Sequence, residues 1–472
     1  MNLRAQQLLA LIAAIPAGCR IAADEKLHNT RSVRLHAISC RHHFFIALGV
    51  AVAFGLMPFK WGRAQCDLVT DNIPLNDLGP NFYQASYQGG LYPGGSNQRP
   101  SDHETDGINI ATNQIKPLNS NGIEDQGQGK IVMISIGMSN TTQEFGGEGE
   151  EPPVAFKPRV DDAVETPNKN PRLVIVDGAQ ATMDAEAWGG IQFNRATWDT
   201  LRHRIRDAGV FPAQVQIAWI KQALVDPGNY GDFPTHATRL QGDLERILQT
   251  LKQKYPSCLL AYFSTRTRAY TTTFHSPEPF AYETGFANKW TIEDQLIHAL
   301  LNYNLSNGPV VAPWISWGPY LWTNGTTPRS DGLMWQCTST GGLPSDVESD
   351  FVHPSALGED KVADQLLAFF ETDPTATPWF LKKNELGQDP AVSATYQVLS
   401  TSPLKVQFTA QATAHNGGSI KHFVWTFDDG DYAYDNKTPT KSFPAPGAYK
   451  VHLTVIDDTG NSTQKAVPVT VN

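Results

Sequence analysis

The sequence predicts two folds in series: an α/β domain on a parallel sheet covered on both sides, then a small all-β sandwich. Three observations carry this expectation. Between residues 129 and 372, five short and continuous apolar runs alternate with helical patterns. Beyond a Pro-punctuated stretch, the apolar period drops to two. With 472 residues, the chain is also too long for one ordinary domain. Hydrophobic residues at 40% and charged residues at 18% fit a folded chain and exclude a disordered one. Gly 38 and Pro 32 imply long loops.

The first 64 residues read as a leader and signal peptide. Arg41-His42-His43 forms a basic region before the apolar run Phe44 to Pro58, and Gly62-Arg63-Ala64 supplies small residues for cleavage after Ala64. The apolar core is short for a membrane span of roughly 20 residues. An uncleaved anchor is the alternative, and no stable span is expected after cleavage. Cys66 follows no lipobox, and an earlier apolar run, Leu8 to Ala17, is shorter still. The leader carries 8 basic and 2 acidic side chains, so the remainder holds 29 Lys+Arg against 45 Asp+Glu, a formal charge of −16. That acidity disfavours nucleic acid and anionic membranes as partners. Three cysteines follow the leader, Cys66, Cys258 and Cys337. One disulfide is possible in an oxidising compartment, with its pairing undecided. No Cys-x-x-Cys occurs, so neither a zinc site nor a redox dithiol is expected.

Residues 65–128 are polar and turn-rich and read as a lead-in with little regular structure. Buried parallel strands are expected at Lys130 to Ile136, Leu173 to Val176, Val215 to Ile220, Leu259 to Phe263 and Pro309 to Ile315. Leu240, Leu244, Ile247, Leu248 and Leu251 share one face of a helix. Further helices are expected over Lys289 to Tyr303 and Ser355 to Phe370. In such a fold the functional crevice lies beyond the carboxyl ends of the strands. Residues 373–390, with Pro374, Pro378 and Pro390, read as a linker. Over 391–472, Leu404, Val406 and Phe408, then Phe423, Trp425 and Phe427, then Tyr449, Val451, Leu453 and Val455 alternate with polar residues, the pattern of half-buried antiparallel strands.

This last region resembles the PKD family of immunoglobulin-like extracellular sandwiches. The matching residues are Trp425-Thr426-Phe427-Asp428-Asp429-Gly430, then Pro446 to Val455, then Asp457 to Ser462. Asp428 stands where the family most often has Gly. Asp429-Gly430 is expected to make a tight turn, and Pro446-Gly447 to set a reversal. The resemblance implies adhesion, carbohydrate contact or a spacer role.

Chemistry is expected at two points. Ser139 follows the first strand in Ile136-Gly137-Met138-Ser139-Asn140, where Gly137 permits a turn. Far downstream, Asp350-Phe351-Val352-His353-Pro354 precedes the last helix. A carboxylate three residues from a histidine can bind one ring N–H and leave the other nitrogen to take a serine proton. Either piece alone is an ordinary turn or surface contact. In this order, Gly137-Met138-Ser139-Asn140 and Asp350 to Ser355, with Gly358, Lys361, Val362 and Ala363 following, resemble the SGNH hydrolases, in particular the carbohydrate acetylesterases among them. The resemblance spans roughly 129–371. It implies Ser139 as nucleophile, His353 as base and Asp350 as its orienter, with no cofactor and no metal. It also implies an oxyanion hole formed by Ser139, Gly178 at the end of the second strand, and the third block. That block departs from the family: Trp219-Ile220-Lys221-Gln222-Ala223 replaces its Asn-bearing or Gln-Gly-Glu pattern. Lys221 or Gln222 could donate to the oxyanion, and Lys221 could equally form a structural ion pair.

Arg266 and Arg268 could reach the crevice. Glu278 and Glu283 lie in an aromatic loop, and Trp314, Trp317, Tyr320 and Trp322 could stack on sugar rings or pack internally. His203 and His236 show no metal-ligand spacing. The expected function is an exported serine ester hydrolase acting on a small-molecule or polysaccharide ester, such as a carbohydrate O-acetyl group. The alternative is a non-catalytic extracellular carbohydrate-binding or adhesion protein with a degenerate hydrolase-like domain.

Overall fold

The computed structural model describes residues 66, 68, 70–147, 154–190, 195–273, 275–298, 300–337, 345–382, 390–414, 418–427, 432–458 and 461–471. The leader, its cleavage site and the Asp429-Gly430 turn lie outside the described residues.

Five parallel strands form one sheet: β1 (Ile131–Gly137), β2 (Leu173–Val176), β3 (Val215–Lys221), β4 (Leu260–Phe263) and β5 (Trp314–Trp317), in the order β2-β1-β3-β4-β5. Side chains alternate between the two faces of this sheet, and both faces are buried. On one face Val132, Ile134, Ile136, Ala218, Ile220 and Phe263 join a core with Trp198, Leu201, Leu244, Ile247 and Phe286. On the other, Met133, Ile217, Trp219 and Tyr262 meet Phe156, Val362, Leu366 and Phe370. Helices α2 (Arg195–Asp207), α3 (Thr235–Lys254) and α4 (Phe280–Leu296) cover the first face, and α5 (Ala356–Thr372) covers the second.

Two expected elements move. The fifth strand runs over Trp314–Trp317 rather than Pro309 to Ile315. Pro309 and Pro313 have no N–H to give a ladder, and pairing begins where Trp314 N–H reaches the Leu259 carbonyl at 3.0 Å. The helix expected over Lys289 to Tyr303 is α4, which starts nine residues earlier, straight after Pro279. It stops before Asn302 and Asn304, whose side-chain oxygens accept backbone N–H groups two residues on and so favour turns. Helix α2 was not expected, although Trp198, Leu201 and Ile205 line one buried stripe of it.

The lead-in holds more regular structure than its polarity implied. It contains a short hairpin, Phe82–Tyr83 with Tyr87–Gln88, and helix α1 (Ser101–Asn109). A glycine within α1 hid it: a Cβ on Gly107 would lie 2.4 Å from the Trp314 ring, so helix propensity yields to close packing there. Cys66 of the lead-in is disulfide-bonded to Cys337, and Cys258 is free and buried. Within the segment read as a linker, Thr377–Phe380 forms a helical turn that buries Trp379 and Phe380 in the α/β core.

The C-terminal strands are β6 (Ala391–Thr401), β7 (Leu404–Thr413), β8 (Ile420–Phe427), β9 (Tyr432–Tyr434), β10 (Thr440–Ser442), β11 (Gly447–Asp457) and β12 (Ser462–Val471). They pair antiparallel in two sheets, β9-β8-β11-β12 and β10-β7-β6. The alternating residues Val406, Phe408, Trp425, Val451, Leu453 and Val455 fill the space between them. Trp425 is fully buried, and its indole N–H donates to the Asn436 carbonyl at 3.0 Å. Trp425→Ala leaves a cavity and an orphaned carbonyl, with an expected loss of about 3–5 kcal/mol from the sandwich in urea unfolding. A loss below about 1 kcal/mol would show that Trp425 is not central to its packing.

Candidate active site

Strand β1 ends at Gly137, Met138 remains extended, and Ser139 opens a helical turn, Ser139–Thr141, that continues through Gly146. The turn folds so closely over the strand end that a Cβ on Gly137 would lie 2.2 Å from Thr141 Oγ1. Thr141 Oγ1 donates to the Lys221 carbonyl at 2.8 Å, fastening the turn to β3. Ser139 is thereby left half-buried at the carboxyl edge of the sheet.

The second half of the site is the loop before α5. Its base is closed by pairing of Val347 with Pro354 and by Glu348 N–H donating to the His353 carbonyl at 2.8 Å. Asp350 Oδ1 accepts the backbone N–H groups of Val352 and His353 at 3.0 and 2.9 Å. Phe351 adopts φ 65° to make this reversal, a backbone region that costs a bulky residue of order 1–3 kcal/mol. The Tyr270 N–H holds the Phe351 carbonyl at 2.9 Å.

The structure brings Ser139, His353 and Asp350 into one chain. Ser139 Oγ lies 2.8 Å from His353 Nε2, and His353 Nδ1 lies 2.5 Å from Asp350 Oδ2. With a carboxylate at Nδ1, that nitrogen carries the proton and Nε2 faces the hydroxyl as acceptor. Burial alone would raise the Asp350 carboxyl pKa. The bonds from the His353 ring, the His353 N–H and the Val352 N–H outweigh it and hold the group well below the usual carboxylate range.

The residues expected to complete an oxyanion hole are placed differently. Gly178 packs against Leu201 and the Ser135 carbonyl, and its N–H donates to Ser135 Oγ at 2.9 Å. Lys221 is buried and its ammonium is paired with Glu144, itself fully buried on the serine turn. Burial brings the Lys221 pKa down to about 8 and pushes the Glu144 carboxyl up. The Gln222 amide donates to the Met183 carbonyl at 3.3 Å. Each of these three donors is bonded to another group. The N–H of Ser139, as the opening residue of a helical turn, has no intrahelical acceptor.

Of two further charged side chains at the site, Arg266 was one that could reach the crevice and Glu144 was not singled out from the sequence. Arg266 is fully buried and donates through Nη1 to Asn140 Oδ1 at 2.6 Å, beside the serine. Glu144 lies five residues past Ser139, and only the fold brings it under Lys221. The other expectations resolve into structure. Arg268 donates to the Leu68 carbonyl at 2.6 Å and Thr70 Oγ1 at 3.2 Å, tying down the lead-in. Glu278 accepts the Trp322 indole N–H at 2.9 Å, and Glu283 faces His236 Nε2 at 2.8 Å. Trp314, Trp317, Tyr320 and Trp322 are all buried, so they pack the core instead of offering a sugar-stacking face. His203 is exposed on α2.

An open depression of about 430 Å³ borders the triad and is lined also by Thr142, Gln143, Ala181, Glu348 and Ser349. Gln143 Oε1 is buried with no hydrogen-bond partner. Among the described residues, no group of three or more His, Cys, Asp and Glu could hold a metal ion, and no helix is long and apolar enough to cross a membrane.

A serine turn thus follows the first strand of a parallel sheet clad in helices. Residues 387–471 match the PKD domain family. An α/β domain followed by a region that matches the PKD family is the order expected from the sequence. Among solved structures, the PKD1 domain of the Vibrio cholerae metalloprotease PrtV is similar at 27% identity, over 18% of this chain and 99% of that one, with a TM-score of 0.16. The lipase Lip_vut3 from a goat rumen metagenome is similar at 13% identity, over 51% of this chain and 97% of its own, with a TM-score of 0.30. An extracellular lipase of Streptomyces rimosus gives 10% identity over 51% and 99%, with a TM-score of 0.25. No curated protein matches the chain.

The position of Asp350 has a consequence for acid stability. With its folded pKa below the unfolded value of about 3.9, the unfolded chain binds more protons there than the native one in the interval between the two. The stability Asp350 contributes is therefore complete above about pH 5 and drains as pH falls through the folded pKa. In chemical unfolding between pH 5 and pH 2.5, wild type should lose stability more steeply than Asp350→Asn. Parallel curves would show that the carboxylate is not held as described.

Proposed function

We propose that the α/β domain is a serine ester hydrolase, and that the chain is exported and acts on a short acyl ester of a hydroxyl-rich carrier such as an O-acetylated carbohydrate. The observation that carries the reading is the unbroken Ser139–His353–Asp350 hydrogen-bond chain at the carboxyl edge of the sheet, open to a depression. His353 Nε2 takes the Ser139 proton as Oγ attacks the acyl carbon, and Asp350 stabilises the resulting imidazolium. The tetrahedral adduct collapses as His353 returns that proton to the departing alkoxide oxygen, leaving Ser139 acylated. Water, losing its proton to His353, then attacks the acyl carbon and frees the carboxylic acid and Ser139. The backbone N–H of Ser139 is the donor proposed for the developing oxyanion.

The lining supports a small, polar substrate, because Thr142, Gln143, Glu348 and Ser349 supply hydroxyl, amide and carboxylate groups and, among the described residues, Ala181 is the one aliphatic side chain that lines the depression. Export is supported by the leader pattern before Ala64 and by the PKD domain. The second reading, a carbohydrate-binding or adhesion protein without activity, is favoured by one observation: Gly178, Lys221 and Gln222 are all bonded elsewhere. Losing one oxyanion donor costs on the order of 10²–10³ in rate, so the two readings differ in measurable turnover.

Purified chain lacking residues 1–64 should hydrolyse p-nitrophenyl acetate and an O-acetylated xylan, with acetyl preferred to octanoyl esters. Ser139→Ala should lower kcat by at least about 10³-fold. Equal rates in the two proteins would remove Ser139 from the reaction and leave the binding reading.

A further inference from the structure

We infer that Asn140 is a positioning residue, whose carboxamide couples the serine turn to the histidine loop while Arg266 sets the direction of that coupling. The inference rests on the reading of Ser139 and His353 as reacting partners. Asp350 orients the His353 ring, but it lies in the same loop three residues away. It fixes the ring within the loop and says nothing about where the loop sits relative to β1. Asn140 supplies that missing tie. It follows Ser139 directly, is 2% exposed, and donates through Nδ2 to the carbonyl of Val352 at 2.8 Å. Val352 in turn precedes His353.

The two ends of an asparagine amide are nearly the same size, so something must choose between them. Here Oδ1 accepts from Arg266 Nη1 at 2.6 Å. A guanidinium can only donate, so the oxygen must face it, and the NH₂ is then turned to the Val352 carbonyl. Arg266 follows β4, is 2% exposed and also approaches the His275 carbonyl at 3.4 Å. The neighbouring Tyr270 N–H holds the Phe351 carbonyl at 2.9 Å. Three segments far apart in sequence, after β1, after β4 and before α5, are therefore locked by one buried amide and its cation. A shift of about 1 Å between reacting groups can cost on the order of 10²-fold in rate, which is what such a tie guards against.

The test uses the whole chain after the leader as wild type, Asn140→Asp, Asn140→Ala and Ser139→Ala. Asn140→Asp keeps an acceptor for Arg266 but sets an oxygen against the Val352 carbonyl, whereas Asn140→Ala removes both bonds. Two quantities are read in the folded protein, with thermal midpoints measured alongside. The first is the Ser139 Oγ to His353 Nε2 separation in crystal structures, expected to stay near 2.8 Å in wild type and to exceed roughly 3.5 Å in both Asn140 variants. The second is the rate of Ser139 modification by a fluorophosphonate, expected to fall by about 10–100-fold in both variants and to vanish in Ser139→Ala. Lower thermal midpoints with unchanged separation and rate would overturn the inference, because Asn140 would then be a satisfied buried amide and nothing more. Absence of labelling in wild type would instead overturn the hydrolase reading, and the crystallographic separations would still decide the role of Asn140. Should Asn140→Asp fail to fold, Asn140→Ala carries both measurements.

Discussion

The hydrogen bond between Ser139 Oγ and His353 Nε2 joins residues 214 apart in sequence, and much of the α/β domain serves to make it possible. Strand β1 delivers the serine to the sheet edge, paired with β2 as far as Ile134 and with β3 as far as Gly137, whose carbonyl also accepts the Gln180 N–H at 3.1 Å. The histidine arrives from the opposite end of the domain, on a loop that α5 follows at once. Ser355 caps that helix by accepting the Gly358 N–H, and a Cβ on Gly358 would lie 2.1 Å from the Asp346 carbonyl, so the helix start is pressed against the base of the loop.

Beneath this contact lies a layer of buried charge. Lys221 and Glu144 pair under the serine turn, and Arg266 approaches from the side through Asn140. Removing ions from water is costly, and a buried pair seldom adds net stability over an apolar one of the same shape. The Lys221–Glu144 pair joins the serine turn to the end of β3, so a slip of the turn on that strand would separate the two charges. The departure from the familiar third block then has a physical meaning. Lys221 occupies the end of β3, opposite Gly137, and holds the serine turn in place.

The fold was largely legible because it follows from periodicity. Continuous apolar runs gave four strands to within a residue, and the period-two pattern gave the sandwich, since burial on two faces or one leaves its mark directly on the residue order. Legibility failed where packing overrode local preference. Gly107 sits inside a helix because Trp314 leaves no room for a Cβ, and the fifth strand starts late because Pro313 cannot donate. Within the site, Ser139, Asp350 and His353 were visible since their chemistry needs those residue types beside a strand end and before a helix. Glu144 and the amide of Asn140 act through space on partners 77 and 212 residues away, and no local spacing encodes that. The aromatic residues in and after β5 left two readings open, a sugar platform or internal packing, and their burial decides for the core.

The central claim is that Ser139 becomes covalently acylated with His353 as its base. Rapid quenching of the protein during incubation with an acetyl ester, followed by peptide mass mapping, reads this directly. An acetyl group is expected on the Ser139 peptide in wild type and is lost in His353→Ala. Turnover of the ester with no acetyl on Ser139, or equal acetylation without His353, would contradict it.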